Sequence, residues 1–170
     1  MKKLITVGCG FAVAAAVAFG AGGKIKVTSS AFQEGGTIPE KFSKNGQNVS
    51  PGLRIEGVPA EAKTLALIVD DPDAPVGLFT HWLVWNIDPK TTEIAEGSAP
   101  KEAVQGRNDF GQSGYDGPQP PSGTHRYYFK IFALNGGLNL KPGAKRHDVD
   151  AAMKGHIIAQ GELMGRYSKK

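Results

Sequence analysis

The chain of 170 residues carries 20 basic and 16 acidic side chains, so its formal net charge is +4. This excess is too small to indicate a nucleic-acid partner, and a single cysteine, Cys9, leaves no partner for an intrachain disulfide. A chain of this length predicts one domain with a sizeable hydrophobic core.

The N-terminal segment is typical of a secretory signal peptide. Two lysines form a positive n-region, residues 4–23 lack any charge and are rich in Ala, Val and Gly, and small residues up to Gly20 fit a cleavage site. The alternatives are a retained anchor helix and lipidation of Cys9. We predict that residues 1–20 are a cleaved signal peptide and that residues 21–170 form the mature domain, which is periplasmic or secreted.

Three segments of the first half predict strands. Residues 24–28 alternate apolar and polar side chains. Residues 53–55 predict a short edge strand, because prolines stand on both sides of them. Residues 63–69 end in an apolar run that predicts a buried strand, and this run stops abruptly at Asp70.

An acidic turn follows, with Asp70, Asp71 and Asp73 as three carboxylates in four residues. Such a cluster is costly at the end of a buried strand unless its charges are solvated or paired. One interpretation is a capped turn, since Asp before Pro is common in turns. The other is a functional site, which is favoured by His81 at the start of the next predicted strand and by His125 where a loop meets a strand.

Residues 81–87 predict a central strand with two alternating faces. We expect these faces to be formed by Trp82, Val84 and Asn86 and by His81, Leu83, Trp85 and Ile87.

A loop rich in glycine and proline leads into another central strand. Proline fixes φ and glycine reaches positive φ, so the loop at residues 106–123 is expected to follow a definite path. Residues 126–134 are apolar on both alternating faces, which is typical of a buried strand. We expect this loop to deliver Thr124, His125 and Tyr127 to a preformed ligand site.

The C-terminal region predicts a helix. Asp148 or Asp150 would cap its start, and apolar residues at helical spacing continue to about Tyr167. We expect His156 to be a buried or interface residue of this helix.

Four motifs occur in order along the predicted mature domain. They are Ser50-Pro51, Asp71-Pro72-Asp73-Ala74-Pro75, His81-Trp82-Leu83-Val84 and the run from Tyr115 to Tyr127. Together they resemble the phosphatidylethanolamine-binding protein family, and more narrowly its bacterial Raf kinase inhibitor-like branch. The resemblance implies a mainly β fold of two packed antiparallel sheets, like a β-sandwich, with a few short helices beside the predicted C-terminal helix. It also implies a small anion pocket formed by Asp71, Asp73, His81, Gly117, Pro118, Pro120, Pro121, His125 and Tyr127.

The chemistry of these residues suits a phosphate-bearing ligand such as a phospholipid headgroup. A carboxylate favours the protonated form of a neighbouring imidazole, so Asp71 or Asp73 beside a histidine would present a positive edge. We predict that His125 and Tyr127 hold the phosphate, that Asp71 orients a histidine, and that backbone N–H groups around Gly117 form an anion nest. A remaining carboxylate would hold an ammonium such as that of phosphoethanolamine.

Two other classes of function are open. The family name points to an inhibitor that docks the pocket rim onto a kinase or a peptidase. A hydrolase or a metal site could use the same carboxylates and histidines. However, no activated nucleophile stands out, and Ser122 lacks the strand-turn-helix setting of a nucleophile elbow. We therefore predict a binding protein that is not an enzyme and has no cofactor or metal, with a homodimer and a peripheral membrane contact left open.

Overall fold

The computed structural model describes residues 23–169, and these contain nine β-strands and one α-helix. The predicted signal peptide and the lipidation alternative at Cys9 lie outside the described residues. The strands are β1 (Gly23–Lys24), β2 (Lys26–Thr28), β3 (Leu53–Glu56), β4 (Thr64–Asp71), β5 (Phe79–Ile87), β6 (Glu93–Ile94), β7 (Val104–Gln105), β8 (Thr124–Leu134) and β9 (Ile157–Ser168), and the helix is α1 (Arg146–Met153).

Six strands form the larger sheet in the order β1-β9-β8-β4-β5-β7. All neighbours in it are antiparallel except β1 and β9. The longest pairing joins β8 to β9 and extends from Thr124 opposite Ser168 to Leu134 opposite Ile157. The strand β4 lies between β8 and β5 and is buried from Leu65 onwards, which confirms the buried strand that the apolar run predicts.

A smaller antiparallel sheet, β2-β3-β6, packs on one face of the larger sheet. The core between them joins side chains of both sheets, such as Leu53 and Ile55 with Leu67 and Phe129. The prediction of two packed antiparallel sheets is therefore confirmed. The prediction that residues 53–55 form an edge strand is wrong, because the flanking prolines lie outside β3 and leave its backbone free to pair on both sides.

The strand predicted at residues 24–28 is divided between the two sheets. Ile25 lies between β1 and β2, and its N–H donates to the carbonyl of Gln160 at 3.0 Å. The chain therefore crosses from the larger sheet to the smaller one within a few residues.

The strand β5 does not keep strict alternation. Opposite β4, Leu65 pairs with Ile87 but Leu67 pairs with Val84, so one extra residue bulges out of β5 where Asn86 has φ 56°. Ile87 consequently joins Val84 in the core between the sheets.

A second register shift, between Val69 and Asp70, places His81 beside Tyr127 on this same side of the sheet. The prediction that Ile87 and His81 share a face with Leu83 and Trp85 is therefore wrong.

The other face of the larger sheet is covered by α1, whose Val149 and Met153 pack with Leu83 and Trp85. The predicted helix to about Tyr167 is wrong in extent, because α1 ends at Met153 and β9 occupies the following segment. His156 is exposed rather than buried, with its Nδ1 2.8 Å from Oδ1 of Asn135. No helix within residues 23–169 has the length and apolar content needed to span a bilayer.

Candidate functional site

The predicted site residues converge at one end of the larger sheet, where β4 ends and where β5 and β8 begin. Asp71 pairs with Phe79 across the β4–β5 ladder, and Asp70 pairs with Tyr128 across the β4–β8 ladder. The β-ladders thus bring the acidic turn to the residues on both sides of Tyr127, although 50 or more positions separate these segments in the sequence.

A buried pair of Asp71 and His125 forms the centre of this site. Nδ1 of His125 lies 2.7 Å from Oδ2 of Asp71, and the two side chains are 8% and 5% exposed. The carboxylate accepts the Nδ1–H, and its other oxygen accepts the backbone N–H of Asp73 at 2.8 Å. This arrangement fixes the ring of His125 and leaves its Nε2 without a hydrogen-bond partner among the described residues.

Tyr127 lies beside this pair and is completely buried. Its hydroxyl has no hydrogen-bond partner within the described part of the protein. Burial raises the pKa of Tyr127, and the nearby charge of Asp71 raises it further, so the phenol remains protonated. The Asp71 carboxylate and the backbone of Gln119 lie close enough to influence this hydroxyl, but neither forms a hydrogen bond with it. A buried O–H without an acceptor is costly, and a ligand oxygen would relieve that cost.

His81 packs its ring edgewise against Tyr127, with 5.2 Å between ring centroids. Its Nδ1 lies 2.7 Å from the carbonyl oxygen of Asp116, which can only accept, so Nδ1 carries a proton. Burial lowers the pKa of His81, so the ring is neutral near pH 7 and Nε2 holds a lone pair. The positive edge predicted for a carboxylate–histidine pair therefore does not form at His81.

Asp73 pairs with Arg126 rather than with a histidine. The guanidinium donates from Nη2 to Oδ1 at 2.7 Å and from Nε to Oδ2 at 2.9 Å, and the backbone N–H of Arg126 also donates to Oδ2. These hydrogen bonds lower the pKa of Asp73 to about 2. Both oxygens of Asp71 also accept hydrogen bonds within the protein, so neither carboxylate is the unengaged one that the sequence predicts for the ammonium.

The loop at residues 106–123 is held in place by Asp116, which is 4% exposed. Its carboxylate accepts from Lys44, from Asn48 at 3.0 Å and from Asn108 at 3.0 Å. Burial raises the pKa of Asp116, but these hydrogen bonds outweigh it and the net shift is downward.

Gly117 has a packing role in this loop. Its N–H donates to Oδ1 of Asn48 at 2.8 Å, and a Cβ at this position would lie 2.0 Å from the carbonyl oxygen of Phe42. This N–H is therefore not available for the predicted anion nest. Only glycine allows the loop to approach the backbone of residues 42–43 so closely.

The prolines of the predicted site are placed differently from one another. Pro118 and Pro120 are buried, and the carbonyl of Pro118 accepts from the N–H of Lys44 at 3.0 Å. Pro121 is exposed, and its carbonyl accepts from Nζ of Lys169 at 2.9 Å.

Four side chains at this end of the sheet carry no site prediction from the sequence. Phe79 and Phe110 pack edgewise on each other, and both rings contact His81. Lys44 and Asn48 hold Asp116. Neither Lys44 nor Asn48 carries a local signal, because their contacts depend on how the segment at residues 40–48 folds back onto the loop.

A separate groove does not involve these residues. It has a volume of about 1050 Å³ and is lined by Lys24, Glu34, Lys130, Phe132 and residues 157–162.

Within residues 23–169 no three His, Cys, Asp or Glu side chains are grouped so that they could hold a metal ion.

The chain belongs to the phosphatidylethanolamine-binding protein family. The family model of that description matches residues 28–168, which confirms the resemblance that the motifs carry. The match covers every strand of both sheets except β1 and the first two residues of β2.

Relatives are found in archaea and bacteria. A UPF0098 protein of Pyrococcus horikoshii is 46% identical, covering 100% of this chain and 91% of its own length. Among solved structures, a putative phosphatidylethanolamine-binding protein homolog from Chlamydia trachomatis is 45% identical with a TM-score of 0.82, over 86% of this chain and 99% of that chain. YbcL of Escherichia coli, a new member of the mammalian PEBP family, has the same TM-score and coverage at 32% identity.

Proposed function

We propose that this protein binds the phosphate group of a small organic ligand, such as a phospholipid headgroup, at the Asp71–His125–Tyr127 site. The observation that carries the proposal is the buried hydroxyl of Tyr127, which lacks an acceptor and lies beside a buried histidine–aspartate pair. Membership of a family named for phosphatidylethanolamine binding supports the same ligand class.

His125 supplies the second contact to the phosphate in this proposal. Its Nδ1–H is held by Asp71, so a proton on Nε2 makes it a cationic donor towards an oxyanion. Tyr127 donates its O–H to another phosphate oxygen. The neutral His81 contributes a lone pair, which suits an O–H or N–H of the ligand rather than an anionic oxygen.

The proposal concerns phosphate rather than the ammonium of ethanolamine. Both oxygens of Asp71 and both oxygens of Asp73 already accept hydrogen bonds within the protein. We therefore expect glycerophosphoethanolamine and glycerophosphoglycerol to bind with affinities within about fivefold, the scale of a solvent-exposed ion pair. A preference of a hundredfold for the ethanolamine ligand would contradict this.

The test is a calorimetric titration with these two phosphodiesters. Substituting His125→Ala should abolish binding, because it removes the imidazole that faces the phosphate. Substituting His125→Asn should keep an N–H towards Asp71 but weaken binding, because the shorter side chain has no second ring nitrogen to donate to the phosphate.

Tyr127→Phe is the sharpest variant, because it removes only the hydroxyl. Loss of a hydrogen bond to a charged group costs about 1.5–3 kcal/mol, so affinity should fall roughly tenfold to a hundredfold. The free energy of unfolding should not fall, since the hydroxyl has no partner to lose. The matched control is Tyr128→Phe, whose side chain is on the opposite face of β8. Unchanged affinity in Tyr127→Phe would refute the proposal, and release of phosphate or alcohol from either ligand would assign an enzyme instead.

A further inference from the structure

Two aliphatic side chains project into solvent from the turn at residues 72–78, between β4 and β5. Val76 is 81% exposed and Leu78 is 52% exposed. Among the large hydrophobic side chains of residues 23–169, only these two and Ile157 are exposed to this degree. Their presence together in one short turn sets this turn apart from the rest of the described surface.

The turn holds these side chains outward by its own geometry. The N–H of Gly77 donates to the carbonyl of Ala74 at 2.9 Å, and Gly77 has φ 95°, which few other residues adopt. Pro72 and Pro75 restrict the backbone further. Val76 and Leu78 are therefore presented by a stiff, convex turn.

The same turn is connected to the candidate site at three points. It begins directly after Asp71, which pairs with His125. It is followed by Phe79, whose ring packs on His81, and its own Asp73 pairs with Arg126. Anything that contacts Val76 and Leu78 therefore lies next to the residues proposed to hold the phosphate.

We propose that this turn inserts Val76 and Leu78 into the surface of a phospholipid bilayer, so that the site meets a headgroup at the membrane interface. The inference rests on the proposed function, which requires a phosphate source beside the turn. Shallow insertion of a few aliphatic side chains suits the boundary between headgroups and acyl chains. A stable protein interface needs about 800 Å² per partner, usually with aromatic or arginine anchors, and two aliphatic side chains on a convex turn do not supply it.

The charged side chains at this end of the sheet do not oppose contact with a bilayer. The acidic Asp73 is neutralised by Arg126. Lys169 donates its Nζ to the carbonyl of Pro121, and no carboxylate of the described residues pairs with it. Its charge offsets that of the exposed Asp109, whose carboxylate accepts the N–H of Thr80 and has no ion pair among the same residues.

The test compares two tryptophan probes in the same full chain, mixed with vesicles of phosphatidylethanolamine and phosphatidylglycerol. Leu78→Trp reports from the turn, and Ile157→Trp reports from an exposed position that is 42% accessible at the start of β9. The native Trp82 and Trp85 are buried and give the same background in both. Lipids brominated in their acyl chains should quench Leu78→Trp and leave Ile157→Trp unquenched, even if another segment also binds the vesicles.

The double variant Val76→Ser/Leu78→Ser should partition into these vesicles at least about tenfold more weakly than the parent chain, given the transfer energies of the two side chains. Its affinity for soluble glycerophosphoethanolamine should be unchanged. Equal quenching of both probes would overturn the membrane contact while leaving headgroup binding intact. A protein complex that the double variant loses, without any vesicle binding, would overturn it in favour of a protein partner. Loss of headgroup binding in the parent chain would instead refute the proposed function.

Discussion

Asp70 and Asp71 are adjacent, but their carboxylates lie on opposite faces of the larger sheet. Asp71 turns to the site and pairs with His125. Asp70 is fully buried on the α1 side, where it accepts from Arg146 and from Nζ of Lys130 at 3.1 Å. Burial lowers the pKa of Arg146, but Asp70 and the carboxylate of Asp150 raise it by more. The end of β4 is thereby fixed from both sides, which keeps Asp71 in position.

The pair of Asp73 and Arg126 should make stability depend on pH in the acid range. Hydrogen bonds from Arg126 lower the pKa of Asp73 from 3.8 to about 2. A carboxyl whose folded pKa is depressed contributes stability above its unfolded pKa, and that contribution is lost as the pH falls from about 4 to 2. In Arg126→Met we expect the pKa of Asp73, followed by NMR, to return towards 3.8, and the loss of unfolding free energy between pH 4 and pH 2 to become smaller.

Asp73→Asn is the reciprocal control, because it removes the titrating group itself. It should flatten the same part of the stability curve. A pKa of about 2 that persists in Arg126→Met would show that another group holds the Asp73 charge.

At this scale the sequence indicates which residues meet but not how they pair. The acidic turn and the two histidines are visible as a cluster of candidates, and the β-ladders bring them together. Asp71 is the last residue of β4, Asp73 lies in the turn beyond it, and His125 and Arg126 project to alternate faces of β8. The path of this turn therefore decides the pairing. The sequence alone does not reveal these contacts, so it does not show which carboxylate pairs with His125 and which with Arg126.

At the scale of elements, β9 shows why apolar spacing alone misassigns a segment. Its inward positions are Ala159, Gly161, Leu163, Gly165 and Tyr167, which alternate as in any strand. Two of these five are glycines and so give no hydrophobic signal. The other apolar residues of this segment fall at helical spacing, so the sequence pattern predicts a helix where β9 lies.

Gly161 is required because another strand segment crosses directly above it. A Cβ at this position would lie 1.8 Å from the carbonyl oxygen of Ile25, where the chain passes between β1 and β2. We expect Gly161→Ala to lower the free energy of unfolding by about 3 kcal/mol, because backbone atoms must move to make room. Urea denaturation measures this change.

The matched control is Gly52→Ala, whose Cβ would lie 3.5 Å from its nearest neighbour, the N of Glu96. That substitution should change stability by no more than about 0.5 kcal/mol. Equal effects of the two substitutions would mean that the crossing at Ile25 is not tightly packed.

At the scale of the whole molecule, the site is assembled from segments that meet only when both sheets are closed. The 3₁₀ turn at Glu40–Phe42 belongs to neither sheet, yet Lys44 and Asn48 just after it hold the Asp116 loop against His81. The family motifs predict the loop and the strand ends, because these are long and local in sequence. They do not predict the support from residues 44–48, since it arises from tertiary contact alone.

The N-terminal segment should direct export and processing of the whole chain in a bacterial host. A positive n-region followed by the uncharged residues 4–23 predicts export and cleavage near Gly20. We expect a periplasmic extract to contain a protein whose intact mass corresponds to a chain beginning at about Ala21. Val13→Glu places a charge inside the apolar region, so this variant should stay uncleaved in the cytoplasm.

Two further variants separate the alternatives to cleavage near Gly20. Ala18→Leu enlarges a small residue of the cleavage signal, so it should leave an exported but uncleaved chain in the membrane fraction. Cys9→Ser should be processed like the parent chain, because cleavage near Gly20 does not involve the thiol. If the parent chain itself stayed uncleaved in the membrane, the segment would be an anchor, and the site would be tethered to a lipid surface. If Cys9→Ser alone blocked processing, lipidation of that cysteine would replace simple cleavage as the explanation.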